Sequence, residues 1–181
     1  MGHHDLAFAT RAIHAGQRPD PSTGAVMTPI YATSTYAHDT PGQHRGYSYA
    51  RSENPTRAAL EANIASLEGG SHGRAFASGM AAIDAACSLL SPGDHVVTGE
   101  GVYGGTRRLF DQVYRRRGLE VSYVELTDLD AIEAAFRDET ALLWLESPTN
   151  PLLDIIDLSG AATIARDHDA LTVVDNTFAT P

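Results

Sequence analysis

Leu171-Thr172-Val173-Val174-Asp175-Asn176-Thr177 is a run of apolar, β-branched residues that ends abruptly in a carboxylate. Such a run reads as a buried strand with Asp175 at its C-terminal mouth. A carboxylate held in an apolar setting costs several kcal/mol unless a cation meets it, so Asp175 implies a positively charged partner.

Upstream of this strand the same pattern recurs. Residues 74–77 are predicted as a short strand, 79–90 as a helix of small residues, 95–98 as a second strand, and 106–116 as a helix after a glycine-rich loop at 99–105. Residues 119–126 alternate like a third strand. Asp128 can cap a helix carrying Leu129, Ile132, Ala135 and Phe136, residues 141–145 form a fourth strand ending at Glu146, and 158–168 form the last helix. Repeated β-α alternation with short connections predicts an α/β fold, a mostly parallel sheet covered by helices on both faces. Ahead of it, the chain up to Gly46 is irregular, broken by Pro19, Pro21, Pro29 and Pro41, and reads as an arm that packs on something else. A helix is predicted from the cap Asn54-Pro55 through Leu60, Ile64 and Leu67, stopped by Gly69-Gly70. The expected organisation is an arm over residues 1–53 and an α/β domain over 54–181.

With 181 residues and 43% hydrophobic content the chain can bury one core. Its net charge of −10 argues against nucleic acid, whose phosphates need a basic surface. No stretch approaches a membrane span, and Met1-Gly2-His3-His4-Asp5 leads into no apolar signal segment, so the expected location is cytoplasmic with no membrane partner. Cys87 is the only cysteine and sits in a small, apolar run, which excludes a disulfide framework and suits a buried structural thiol. His3, His4, His14, His38, His44, His72, His95 and His168 show no metal-ligand spacing, and no metal site is expected. All 13 of the Lys+Arg total are arginines.

In parallel sheets ligands bind beyond the carboxyl ends of the strands. Ser78-Gly79-Met80 opens a helix there, either as a plain serine cap or as a cradle for an anion. Tyr103, before Gly104-Gly105-Thr106, is either a surface tyrosine or a ring laid over a flat ligand. Glu146-Ser147-Pro148-Thr149-Asn150-Pro151 carries two prolines that hold Glu146 and Asn150 in set directions, with or without a function. An anion cradle, a stacking ring, fixed polar groups and a lone acid together suit a planar phosphorylated heterocycle. Pyridoxal phosphate asks for these features, the acid keeping its ring nitrogen protonated.

Gly46-Tyr47-Ser48-Tyr49-Ala50-Arg51, Asn54-Pro55-Thr56-Arg57, Phe76-Ala77-Ser78-Gly79-Met80, Tyr103-Gly104-Gly105-Thr106, Glu146-Ser147-Pro148-Thr149-Asn150-Pro151 and Val174-Asp175-Asn176-Thr177-Phe178 resemble the trans-sulfuration, or Cys/Met-metabolism, family of pyridoxal-phosphate enzymes. The likeness runs from Phe8 onward. It implies the large domain of the fold type I PLP-dependent transferases. It also implies that Gly79 and Met80 bind phosphate through backbone N–H groups beside Ser78, and that Tyr103 stacks on the pyridine ring and takes part in proton transfer. Asp175 would pair with the ring nitrogen, Thr177 would lie near the cofactor face, and Glu146 and Asn150 would support the cofactor and substrate pocket. Tyr49 and Arg51 would reach a neighbouring subunit and grip its cofactor phosphate, arginine's planar fork being suited to that task. The implied assembly is a homo-oligomer, a dimer of active dimers, acting on a small amino-acid substrate.

Two features depart from the family. Its chemistry needs a lysine that forms a Schiff base with the cofactor, and this chain has none, so the sequence reads as the N-terminal portion of a longer protein. Ser48 and Gly105 stand where some members carry, respectively, an acid that selects the substrate's distal amine and the cysteine of thiol-eliminating lyases that act on methionine. The reaction the resemblance implies is γ-elimination, giving cysteine, 2-oxobutanoate and ammonia. Its alternatives are γ-replacement on an activated homoserine, γ-elimination from methionine, and an inactive cofactor- or partner-binding subunit.

Overall fold

A computed structural model describes residues 6–181; His3 and His4 lie outside the described residues. The chain divides into two compact units, one up to Ala75 and one from Phe76 to Thr180.

The first unit contains helix α1 (Phe8–His14), a short antiparallel pair β1 (His38–Thr40) and β2 (Gln43–His44), and helix α2 (Pro55–Leu67). α2 starts as its sequence predicts, with Asn54 Oδ1 accepting from the backbone N–H of Thr56 at 2.9 Å and Arg57 at 3.4 Å, and proline in the first turn. α1 and the β pair are additions to the expected irregular arm. The seven residues of α1 have no side-chain cap, and Phe8 and Ile13 stay exposed, so no buried stripe marks them. The helix is held instead by Asn63, whose amide donates to the carbonyls of Arg11, Ala12 and Ala15 at 3.0–3.2 Å. Gly16 continues from α1 with φ +75°, and a Cβ there would lie 2.5 Å from the Ala59 carbonyl, so only glycine lets the two helices approach.

The second unit contains α3 (Gly79–Cys87), β3 (His95–Gly99), α4 (Gly104–Leu109), β4 (Glu120–Val124), α5 (Leu129–Ala135), β5 (Thr140–Glu146), α6 (Leu158–Asp167) and β6 (Leu171–Asp175). The sheet is parallel throughout, in the order β4-β3-β5-β6. It has four strands rather than five, because residues 74–77 form none. That segment is pinned to α2: the Ala75 N–H donates to Glu61 Oε1 at 2.9 Å, and Gly73 packs so closely that a Cβ would lie 2.2 Å from the Glu61 carbonyl. α4 also departs from a regular helix to residue 116. It begins at Gly104 and passes into a π-helical turn (Phe110–Tyr114) and a 3-10 turn (Arg115–Arg117).

Both faces of the sheet are covered. Val96, Leu142 and Trp144 pack with Ile83, Cys87, Phe110 and Tyr114 on one face, while Val97, Leu143 and Leu145 pack with Ile132, Ala161 and Ala165 on the other. The alternation along β5 thus sends successive side chains into two separate cores. Cys87 is fully buried, and burial with Asp84 nearby pushes its thiol up to about 12, as befits a structural rather than a reactive group.

At the opposite, amino end of β3, the buried His95 ring bridges Thr140 Oγ1 (2.8 Å to Nδ1) and Ser122 Oγ (2.9 Å to Nε2). Both hydroxyls also accept from Arg137, Thr140 Oγ1 from its backbone N–H at 2.8 Å and Ser122 Oγ from its guanidinium at 3.3 Å, so all three polar groups around the ring are tied together. Burial first, then the Arg137 charge, lowers the pKa of His95. A lowered histidine favours the neutral form in the folded state, so its contribution to stability is present above about pH 6.5 and is lost as pH falls below it. Urea midpoints measured from pH 7.5 down to 5 should fall for the parent and fall less for His95→Gln.

Candidate active site

β3 and β5 are neighbours, yet the chain leaves β3 for one edge of the sheet and β5 for the other. The crevice beyond their carboxyl ends is where a doubly wound sheet takes a ligand. Tyr103 follows β3, Glu146 closes β5, and Asp175 closes β6 directly beside Glu146 in the register.

Tyr103 stands at the start of α4 with 40% of its surface exposed. Its ring lies over Gly105, where a Cβ would come within 2.3 Å of the ring's Cε1 and 2.8 Å of Met80 Sδ. The glycine therefore makes the space in which ring and Met80 meet. Ser78 caps α3, its Oγ accepting the Ala81 N–H at 3.2 Å. That leaves the first-turn N–H groups of Gly79 and Met80 without partners inside the helix, and a Cβ at Gly79 would meet open space. Cap and anion cradle are the same geometry here.

Asp175 is half-buried, and its Oδ1 accepts from the N–H (3.1 Å) and hydroxyl (2.5 Å) of the exposed Thr177. Among the described residues no arginine or histidine pairs with it. Glu146 is 5% exposed, its Oε2 accepting the Tyr103 N–H at 2.6 Å and its Oε1 the Asn150 N–H at 3.0 Å. Burial raises the Glu146 pKa and the two N–H bonds oppose it, with the Asp175 charge raising it further. Ser147 links the two strand ends: its N–H donates to the Asp175 carbonyl at 3.2 Å, and its own carbonyl accepts from the Asn176 side-chain amide at 2.8 Å.

Ser78, Gly79, Met80, Tyr103, Glu146, Asn150, Asp175 and Thr177 thus line one end of the second unit, connected contact by contact. Ser48, Tyr49 and Arg51 belong to the first unit, where the Arg51 guanidinium sits 5.1 Å from the Tyr49 ring centroid and donates to its hydroxyl at 3.3 Å. Sequence reasoning missed the ties made by Ser147 and Asn176 and the packing role of Gly105. The paired glycines behind an aromatic residue were the available signal for the last of these.

The model of one protein family, described as Cys/Met metabolism PLP-dependent enzyme, matches residues 9–181. The chain belongs to that family. Within the Cys/Met metabolism family it is 57% identical to a cystathionine beta-lyase of Coxiella burnetii over 95% of this chain and 45% of the relative. It is 55% identical to a cystathionine gamma-synthase of Mycobacterium bovis over 99% of this chain and 47% of the relative. A solved cystathionine gamma-lyase from Lactobacillus plantarum, complexed with L-serine, superposes with a TM-score of 0.92 at 50% identity, covering 97% of this chain and 46% of that one. The chain spans about half the length of the curated relatives it matches.

The family cofactor is pyridoxal 5′-phosphate, and the donor set fits it: two free first-turn N–H groups for a phosphate, a ring over a glycine-made space, and a carboxylate without a cation among the described residues. The fit rests on the missing Cβ at residue 105. Gly105→Ala should drive the Tyr103 ring off its seat; overpacking strain of about 1–3 kcal/mol falling on the bound state weakens cofactor binding about 10- to 100-fold. Titration of the cofactor against the variant checks this.

Proposed function

We propose that the chain is the cofactor-binding part of a trans-sulfuration enzyme that acts on sulfur amino acids, with γ-elimination from cystathionine to cysteine, 2-oxobutanoate and ammonia as its reaction. The observation that carries the reading is the Asp175 carboxylate, set at the mouth of β6 with no cation of its own among the described residues, at the same end of the sheet as the exposed Tyr103 ring. Its named relatives divide among beta-lyase, gamma-synthase and gamma-lyase, which supports the trans-sulfuration chemistry more strongly than the choice of bond.

When bound, the cofactor supplies an electron sink for charge that develops at the α carbon of the amino acid. Asp175 holds the proton on the ring nitrogen that makes the sink effective, and Thr177 fixes the carboxylate's direction through two hydrogen bonds. Gly79 and Met80 bind the phosphate through their N–H groups, with Ser78 bracing the turn. Tyr103 covers the ring and presents a hydroxyl able to hold or pass a proton, while Asn150 supports the site from the turn after β5, its N–H bonded to Glu146. The lysine amine that the chemistry needs comes from outside these 181 residues.

The active form in this reading is a cytoplasmic homo-oligomer, a dimer of active dimers, in which Tyr49 and Arg51 grip the phosphate of a neighbouring subunit and Ser48 borders the substrate. Exposed apolar side chains in the first unit, among them Phe8, Ile13, Leu60 and Ile64, support a partner surface there. The test is product analysis with cystathionine, and separately with an activated homoserine plus cysteine. Release of 2-oxobutanoate and cysteine supports the reading; pyruvate with homocysteine assigns β-elimination, and new cystathionine assigns γ-replacement. The missing lysine favours a second reading, a cofactor-binding subunit without turnover. An intact mass from the native source matching only these residues would select it.

A further inference from the structure

The family resemblance gives Glu146 a place in the cofactor pocket, but its contacts point elsewhere. Both carboxylate oxygens are engaged by backbone N–H groups, one from the loop after β3 and one from the turn after β5. The side chain is 5% exposed, and among the described residues no cation offsets it. A buried, unpaired carboxylate is costly to keep, and it persists only where its hydrogen bonds repay that cost.

We infer that Glu146 is a positioning residue: a two-armed clamp whose oxygens hold the Tyr103 and Asn150 backbones in one frame, and so set the stacking ring and the Asn150 side chain relative to Asp175. The inference rests on the proposed function for what the frame is used for, not for the clamp itself. Two backbone donors converging on one side chain require two acceptors. A carboxylate supplies both, whereas the isosteric amide supplies one acceptor and turns an N–H donor against the other backbone N–H. The site is also a meeting of two loops whose strands connect onward to opposite edges of the sheet, and Glu146 joins the two loops directly. The Asp175 register neighbour makes the clamp's charge sensitive to what sits at the strand ends, since a cation there would ease the repulsion between the two carboxylates.

The test is Glu146→Gln in the full protein, read by hydrogen exchange with and without pyridoxal 5′-phosphate, by the visible circular dichroism of the bound cofactor, and by kcat and KM. The expected result is exchange about tenfold faster in at least one of the segments 100–106 and 147–151, because the amide keeps one acceptor and leaves the other backbone N–H facing a donor. Cofactor stoichiometry should persist with a weakened dichroic signal, kcat should fall more than KM changes, and Glu146→Asp, which keeps two acceptors on a shorter arm, should restore part of the loss. Exchange in both segments within about twofold of the parent would overturn the clamp. If Glu146→Gln fails to fold, the parent decides. Its Tyr103 and Asn150 amides must exchange more slowly than those of the exposed Gly101 and Leu152, and equal rates reject the inference. The exchange arm without cofactor reads the clamp even if the protein binds no pyridoxal 5′-phosphate, a result that would instead reject the proposed function.

Discussion

Asp175→Asn is expected to lower kcat on the physiological substrate by about 10²- to 10³-fold, the scale seen when a preorganised electrostatic partner of developing charge is removed. The substitution keeps the shape of the side chain and leaves one oxygen to accept from Thr177, so the fold should survive. What disappears is the negative charge that favours a proton on the ring nitrogen. Steady-state kinetics on cofactor-loaded protein, beside a thermal melt, separates this from unfolding. A variant with parental kcat would mean that Asp175 serves β6 or the Thr177 turn rather than the cofactor.

The largest effect on stability is expected at Trp144. Its side chain is 2% exposed and meets Phe110 edge to face, with centroids 5.9 Å apart and planes at 84°. Trp144→Ala empties the centre of the core between the sheet and α3 and should cost about 3–5 kcal/mol, a transfer loss plus an unfilled cavity. Urea unfolding followed by far-UV circular dichroism measures it. A cost below about 1 kcal/mol would indicate that neighbouring side chains collapse into the space. The indole Nε1 is buried with no partner, so Trp144→Phe, which removes that unmet donor, should cost much less than alanine.

Much of this architecture can be read from the residues. β5 carries a continuous apolar run with an acid at its end because both of its faces are covered; β6 carries the same kind of run, but at the sheet edge, where Leu171 and Val174 stay exposed instead of buried as the run promises. The caps Asn54, Ser78 and Asp128 act locally, through hydrogen bonds to residues two or three positions on, and the structure has each of them. The errors fall where distant contacts decide. Residues 74–77 resemble a strand by composition, yet Glu61, far away in sequence, takes the Ala75 N–H that a ladder would have used. α1 is stabilised by Asn63 and gives no apolar stripe of its own, and α2 leaves Leu60 and Ile64 exposed although their spacing promises a core face. At the site, the acids are visible as residue types, but Glu146's engagement by two backbone N–H groups depends on how two loops meet across the sheet, and no spacing rule encodes that.

Whether Asp175 holds a protonated pyridine ring is read by nitrogen-15 magnetic resonance of pyridoxal 5′-phosphate labelled at the ring nitrogen and bound to the protein. The parent should show the chemical shift of a protonated nitrogen, and Asp175→Asn a move toward the unprotonated value. An unprotonated nitrogen in the parent, or a shift that Asp175→Asn leaves unchanged, would contradict that role for Asp175.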